Sequence, residues 1–208
     1  MKIELIDIGK RYKNEWIFKE IHVAFETPNR IGIIGNNGSG KSTLLKLLTA
    51  AEQATSGTIS YWIDAKNQVA NEAIYKHISF TAPYIDLPED LTTLEIISFY
   101  KKFKVIADSK SVEFFLEEIN LTEAKNKLVK HFSSGMKQRL KLGLAIACDS
   151  TILLLDEPCA NLDKHGIEIY HRLLDTYATD KLCIISSNED KNELYKINQR
   201  LDIHDFKK

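Results

Sequence analysis

Lys41 stands in the run GNNGSGKST, where Gly35, Gly40, Lys41 and Ser42 satisfy the spacing G-x-x-x-x-G-K-[ST]. Glycines so spaced let the backbone curl until several N–H groups point at one anion, and a following helix adds the partial positive charge of its N-terminus. The anion that suits this cradle is a phosphate chain. Gly35, Asn36, Asn37, Gly38, Ser39, Gly40, Lys41, Ser42 and Thr43 would wrap it. Lys41 would reach the β- and γ-phosphates, and Ser42 would ligate Mg²⁺. A second group ends the run ILLLDEP with Asp156 and Glu157. An Asp at such a strand end helps hold Mg²⁺ through water, and the next residue, Glu157, is better placed to take a proton from an attacking water. A third group, HFSSGMKQRLKLGLAIA, offers Ser133 and Ser134 as helix N-caps. It reads either as a plain capped helix or as a second anion site.

Elements must position these groups. The apolar run Ile31 to Ile34 predicts a buried strand before the loop, and the Leu/Lys-rich segment after it predicts a helix. KIELIDI, EIHVAFE, GTISYWI and HISFTA read as further strands, the last stopping at Pro83. From about Leu91 to Ala147 the pattern turns helical through TTLEIISFYKKF, SVEFFLEEI and LTEAKNKLV. Strand and helix then alternate: TILLLD, a helix around Lys164 to Ala178, LCIISS, a short helix near Asp190, and QRLDI. Fully apolar strands alternating with helices predict an α/β fold around a mostly parallel sheet, interrupted by a helical insertion.

Composition narrows the function. Lys plus Arg total 28 against 29 Asp plus Glu, a net charge of −1, which gives no electrostatic case for nucleic acid. Cys148, Cys159 and Cys183 match neither a metal spacing nor a secreted disulfide framework, so a reducing compartment is expected. No segment approaches the roughly 18 apolar residues of a membrane span. MKIELID lacks the apolar core of a signal peptide. The expectation is a cytosolic protein whose membrane work, if any, needs a partner.

Together these pieces resemble the ATP-binding cassette family, specifically the ATP-binding subunit of ABC transporters, over essentially the whole chain. FSSGMKQR is similar to the family's LSGGQ-x-R signature: Ser133 and Gly135 match, whereas Phe132, Ser134 and Met136 depart. CANLD, ending at Asp163, is similar to the family's D-loop. Tyr12 is similar to the aromatic residue that stacks on adenine, although on sequence alone it could equally be a surface aromatic. The resemblance implies a single cassette over 1–208, with a phosphate-loop core, an N-terminal antiparallel β portion and a helical subdomain near 91–147. It implies Mg-ATP held between two subunits, a homodimer or a heterodimer with another ABC subunit. Ser133 and Gly135 would act on the partner's nucleotide, and Asp163 would lie at the dimer interface. Separate transmembrane permease subunits would hold the dimer at the inner face of the membrane.

Two departures bear on rate. Leu87, Leu91 and Thr92 set a register that places Pro83 where the family has a Gln reaching Mg²⁺ and water; proline supplies no side-chain amide. In IISSNED, Asn188 stands where the family has His; Asn hydrogen-bonds but cannot carry charge or shuttle a proton. With Lys41 and Glu157, Asn188 completes the expected catalytic set, and the expectation is slow or partner-dependent hydrolysis. A nucleotide-gated binding protein with little turnover is the alternative reading.

Overall fold

The computed structural model describes residues 1–106 and 111–207; positions 107–110 of the expected helical stretch lie outside the described residues. The chain forms two compact units, one of residues 1–80, 150–157 and 180–208, the other of 81–149 and 158–179.

The first unit opens with β1 (Lys2–Tyr12) and β2 (Glu15–Glu26), an antiparallel pair in register from Lys2 opposite Glu26 to Tyr12 opposite Glu15. Both run further toward their shared turn than the alternation in KIELIDI and EIHVAFE suggested. A bulge explains why. The registers of β1 slip between Leu5 and Ile8, and Asp7 sits at φ 52°. The buried set therefore passes from Ile3 and Leu5 to Ile8, breaking the period of two. After β3 (Asn29–Ile34) and α1 (Lys41–Leu48), β4 (Ser56–Trp62) joins the antiparallel sheet beside β1, followed by the two-residue β5 (Gln68–Val69).

A second sheet contains β3, β6 (Ile78–Thr81), β7 (Ile152–Asp156), β8 (Leu182–Ser187) and β9 (Gln199–Asp202), in the order β6-β7-β8-β3-β9. The β7–β8, β8–β3 and β3–β9 pairs are parallel. Every residue of β7 and β8 is buried, which is why their sequences are runs rather than alternations. Ile31 and Ile33 of β3, Ile152 and Leu154 of β7, and Leu182 and Ile184 of β8 form a core with Leu44, Leu45, Leu47 and Leu48 of α1. The expected helix near Asp190 is a set of turns. Leu194 N–H donates to the Asp190 carbonyl at 3.0 Å, and Lys196, at φ 52°, ends the turn before it propagates.

The second unit holds α2 (Thr93–Tyr100), α3 (Val112–Glu118), α4 (Ser134–Ile146) and α5 (Lys164–Tyr177). Thr92 caps α2 in a reciprocal box with Glu95. LTEAKNKLV, expected as one helix, instead makes two single 3₁₀ turns, Thr122–Ala124 and Val129–His131. Its local bonds are short-range, Ala124 N–H to Leu121 O at 2.9 Å and Lys127 N–H to Ala124 O at 3.0 Å. Two more tie it to the start of α2: Leu94 N–H to Lys125 O at 3.1 Å, and Val129 N–H to Leu91 O at 3.0 Å. Helix α4 presses on α3 at Gly143, where a Cβ would fall 2.5 Å from Ile119 Cγ2 and 3.0 Å from Phe115 Cζ.

Candidate functional site

In the first unit β3 delivers the chain at Ile34 into the loop 35–40, and α1 begins at Lys41. Gly40 precedes that helix at φ 107°, and no side chain caps it. A Cβ there would lie 2.5 Å from Ile17 Cγ2, so both backbone and packing require glycine. The first-turn N–H groups of α1 thus begin with no side-chain acceptor. Ser39 N–H closes the loop on Asn36 O at 3.0 Å. The buried Ser39 hydroxyl has no hydrogen-bond partner among the described residues. Asn36, Asn37 and Gly38 are exposed, whereas Ser42 and Thr43 are half-buried.

Lys41 is 4% exposed, and its Nζ donates to Gly35 O at 2.8 Å, Asn36 O at 3.1 Å and Asn188 Oδ1 at 2.5 Å. Burial holds its pKa below the usual lysine value, against the opposing pull of Glu157, Asp156 and Glu193. Asp156 ends β7 opposite Ser186 of β8, whose hydroxyl donates to Oδ1. The other carboxylate oxygen, Oδ2, is buried and lacks a partner among the described residues. Glu157 turns out of the strand at φ 42°, a left-handed conformation uncommon outside glycine, with its N–H on Ser186 O at 3.1 Å. Asn188 follows β8; its Nδ2 donates to Asn37 Oδ1 at 2.5 Å and to Glu157 Oε1 at 3.3 Å. The fold therefore gathers Lys41, Asn37, Glu157 and Asn188 from distant segments into one polar cluster.

Tyr12 is half-exposed at the end of β1. Its hydroxyl donates to Glu52 Oε1 at 2.5 Å and meets the Thr43 hydroxyl. Lys10 pairs with the same Glu52 oxygen at 2.9 Å, and its ammonium lies 4.9 Å from the Tyr12 ring centroid. Burial and the Glu52 hydrogen bond raise the phenol's pKa.

In the second unit the Ser133 hydroxyl caps α4, accepting from Met136 N–H at 3.2 Å. Gly135 is half-buried, 3.3 Å from Asn161 O at its would-be Cβ. Asp163 caps α5 through Gly166 N–H at 2.7 Å. The exposed Pro83 presents its carbonyl to Lys141 Nζ at 3.3 Å, and Ala82 O accepts from the same ammonium at 3.1 Å.

The model of the ABC transporter family matches residues 18–160. The chain belongs to the ABC transporter family. It is 29% identical over 204 residues to the uncharacterized ABC transporter ATP-binding protein YybJ of Bacillus subtilis (strain 168), covering 94% of this chain and 88% of that one. It is 31% identical to YcbN of the same organism over 80% of this chain and 54% of YcbN. With ABC transporter A family member 9 of Dictyostelium discoideum it shares 36% identity over 64% of its length, but only 16% of that protein. Two solved structures share the fold. A putative ABC transporter ATP-binding protein from Pyrococcus furiosus superposes with TM-score 0.84 at 22% identity, each chain fully covered. A bacterial Atm1-family ABC exporter with ATP bound gives 0.79 at 17%, over 97% of this chain and 37% of that one.

As an ABC ATP-binding protein the chain carries an α/β core with one antiparallel and one parallel sheet; its apolar strands predicted the parallel sheet, and the family resemblance implied the antiparallel one. Among the described residues no helix is long and apolar enough to cross a membrane. The donor set fits Mg²⁺, which takes one or two carboxylates, a hydroxyl, waters and substrate phosphates rather than a full protein cage. The unpartnered Asp156 Oδ2 is the observation that meets this need, and no larger acidic or His/Cys cluster exists among the described residues. Sequence reasoning missed Ser186, Glu193 and Glu52. Ser186 was within reach, since pairing LLLD with CIISS in parallel register sets it opposite Asp156. Glu193 and Glu52 sit in polar stretches without periodicity, and only tertiary packing brings them near Lys41 and Tyr12.

Proposed function

We propose that this ABC protein hydrolyses ATP as one nucleotide-binding domain of a dimer, and that the dimer drives separate membrane subunits from the inner face of the membrane. The observation that carries the reading is the cluster at the ends of β3, β7 and β8: a buried Lys41 held on loop carbonyls, an Asp156 oxygen with no partner, and Glu157 beside it. The loop 35–43 takes the phosphates on its N–H groups and on Lys41. Ser42 and Asp156, the latter through water, hold Mg²⁺, which supplies charge neutralisation on the phosphates. Glu157 accepts the proton of the attacking water. Tyr12 stacks on the base, its ring anchored by the Glu52 bond. Ser133 and Gly135 meet the nucleotide of the partner subunit, and Asp163 faces that subunit.

A second reading is nucleotide-gated binding with little turnover. The exposed Pro83, whose carbonyl is engaged by Lys141, and the neutral Asn188 favour it. The test is Glu157→Gln. A positioned general base contributes roughly 10²–10⁴-fold. The variant is expected to bind ATP like wild type, lose that factor in steady-state hydrolysis and elute as an ATP-bound dimer on size exclusion. Wild-type ATP binding without measurable hydrolysis, equal to the variant's, establishes the second reading instead.

A further inference from the structure

An ammonium has three donors. At Lys41 all three have protein acceptors: Gly35 O, Asn36 O and Asn188 Oδ1. Two are carbonyls of the loop itself. The third comes from the far end of β8, and it is the shortest of the set at 2.5 Å. The opposite end of the same carboxamide donates to Asn37 and to Glu157 Oε1. One neutral side chain thus stands between the cation and the acid of the cluster.

The geometry points to Asn188 as a positioning residue with two opposed effects on the nucleotide site: its oxygen occupies the third donor of Lys41, which an entering phosphate must displace, and its nitrogen steadies Glu157. The inference rests on the loop being a nucleotide site. A buried ammonium lacking a partner is costly, so the Asn188 bond stabilises the empty protein and weakens nucleotide binding by the same amount. Its neutrality matters. A carboxylate in that place would hold Lys41 by a stronger charge-assisted pair, and an alanine would leave the donor free.

Titration calorimetry with Mg-ADP and Mg-ATP, alongside steady-state hydrolysis, tests this on wild type, Asn188→Ala, Asn188→Asp and Lys41→Ala. Asn188→Ala is expected to bind ADP roughly tenfold tighter, the low end for a hydrogen bond to a charged group, yet to hydrolyse ATP more slowly because Glu157 loses its donor. Asn188→Asp is expected to bind ADP more weakly than wild type. These opposite shifts remain readable from either variant if the other fails to fold. Asn188→Ala binding ADP equally well or less well overturns the proposal while leaving the nucleotide site intact. A wild type that binds neither nucleotide, or a Lys41→Ala that binds both undiminished, overturns the site reading and this inference with it.

Discussion

Asn188 gives the site a cluster partner that does not titrate between pH 5 and 8. Histidine, with an ordinary pKa near 6.5, would. Asn188→His is therefore expected to raise steady-state ATP turnover measurably above about pH 7, where a neutral imidazole can accept and donate. Below about pH 6 the gain is expected to vanish, because an imidazolium beside the Lys41 ammonium loses its acceptor and adds like charge. Pro83→Gln combined with Asn188→His is expected to exceed either single change, since by the family resemblance the added amide would serve a different need, the placing of Mg²⁺ and water. Hydrolysis rates of the four proteins at saturating Mg-ATP, from pH 5.5 to 8.5, decide this. A wild type that already matches the double variant shows that asparagine suffices.

At the scale of elements, the parallel strands and the loop–helix junction were legible because their signals are local. ILLLD and LCIISS are apolar throughout, and Gly40 must be glycine for the turn into α1. Ser133 was likewise readable as a polar residue at a helix start, and it caps α4; Asp163, placed only by resemblance to the family's D-loop, caps α5. LTEAKNKLV keeps helical spacing in its leucines and alanine, yet its N–H groups close i→i−3 turns and its Lys125 carbonyl and Val129 N–H are taken by Leu94 and Leu91 beside α2, so no α-helix forms. The β1 bulge was hidden for a similar reason: an aspartate at positive φ leaves no pattern of its own. Close approach was also invisible, since nothing in LKLGLAIA reveals that Gly143 faces Ile119 and Phe115. Gly143→Val is expected to destabilise the protein by roughly 1–3 kcal/mol through overpacking. Adding Ile119→Ala is expected to recover part of the loss. Urea titrations monitored by circular dichroism measure both, and a neutral Gly143→Val shows that α3 yields freely.

For the whole molecule, global stability carries a pH signature from the centre of the parallel sheet. Complete burial pushes the Cys183 thiol up to about 12 from an ordinary 9.0. The unfolded chain releases that proton first, so between those values the folded state holds more protons and stability falls as pH rises, by about 1.4 kcal/mol per unit from this group. Burial raises the Tyr61 phenol as well, in the same direction, while the depressed Lys41 acts oppositely as pH approaches 10.5. Cys183→Ala is expected to flatten the alkaline limb of denaturant-measured stability relative to wild type; parallel limbs show the thiol is not the source. The strand order holds a further consequence, for synthesis on the ribosome. Strand β3 emerges early, yet its hydrogen-bonding neighbours are β8 and β9, from Leu182–Ser187 and Gln199–Asp202. Until those residues leave the exit tunnel, the strand that feeds the phosphate loop has neither edge paired. Nascent chains arrested before Leu182 should then expose an apolar ribbon to chaperones, and a premature stop there should yield a product removed by proteolysis rather than a weakened protein.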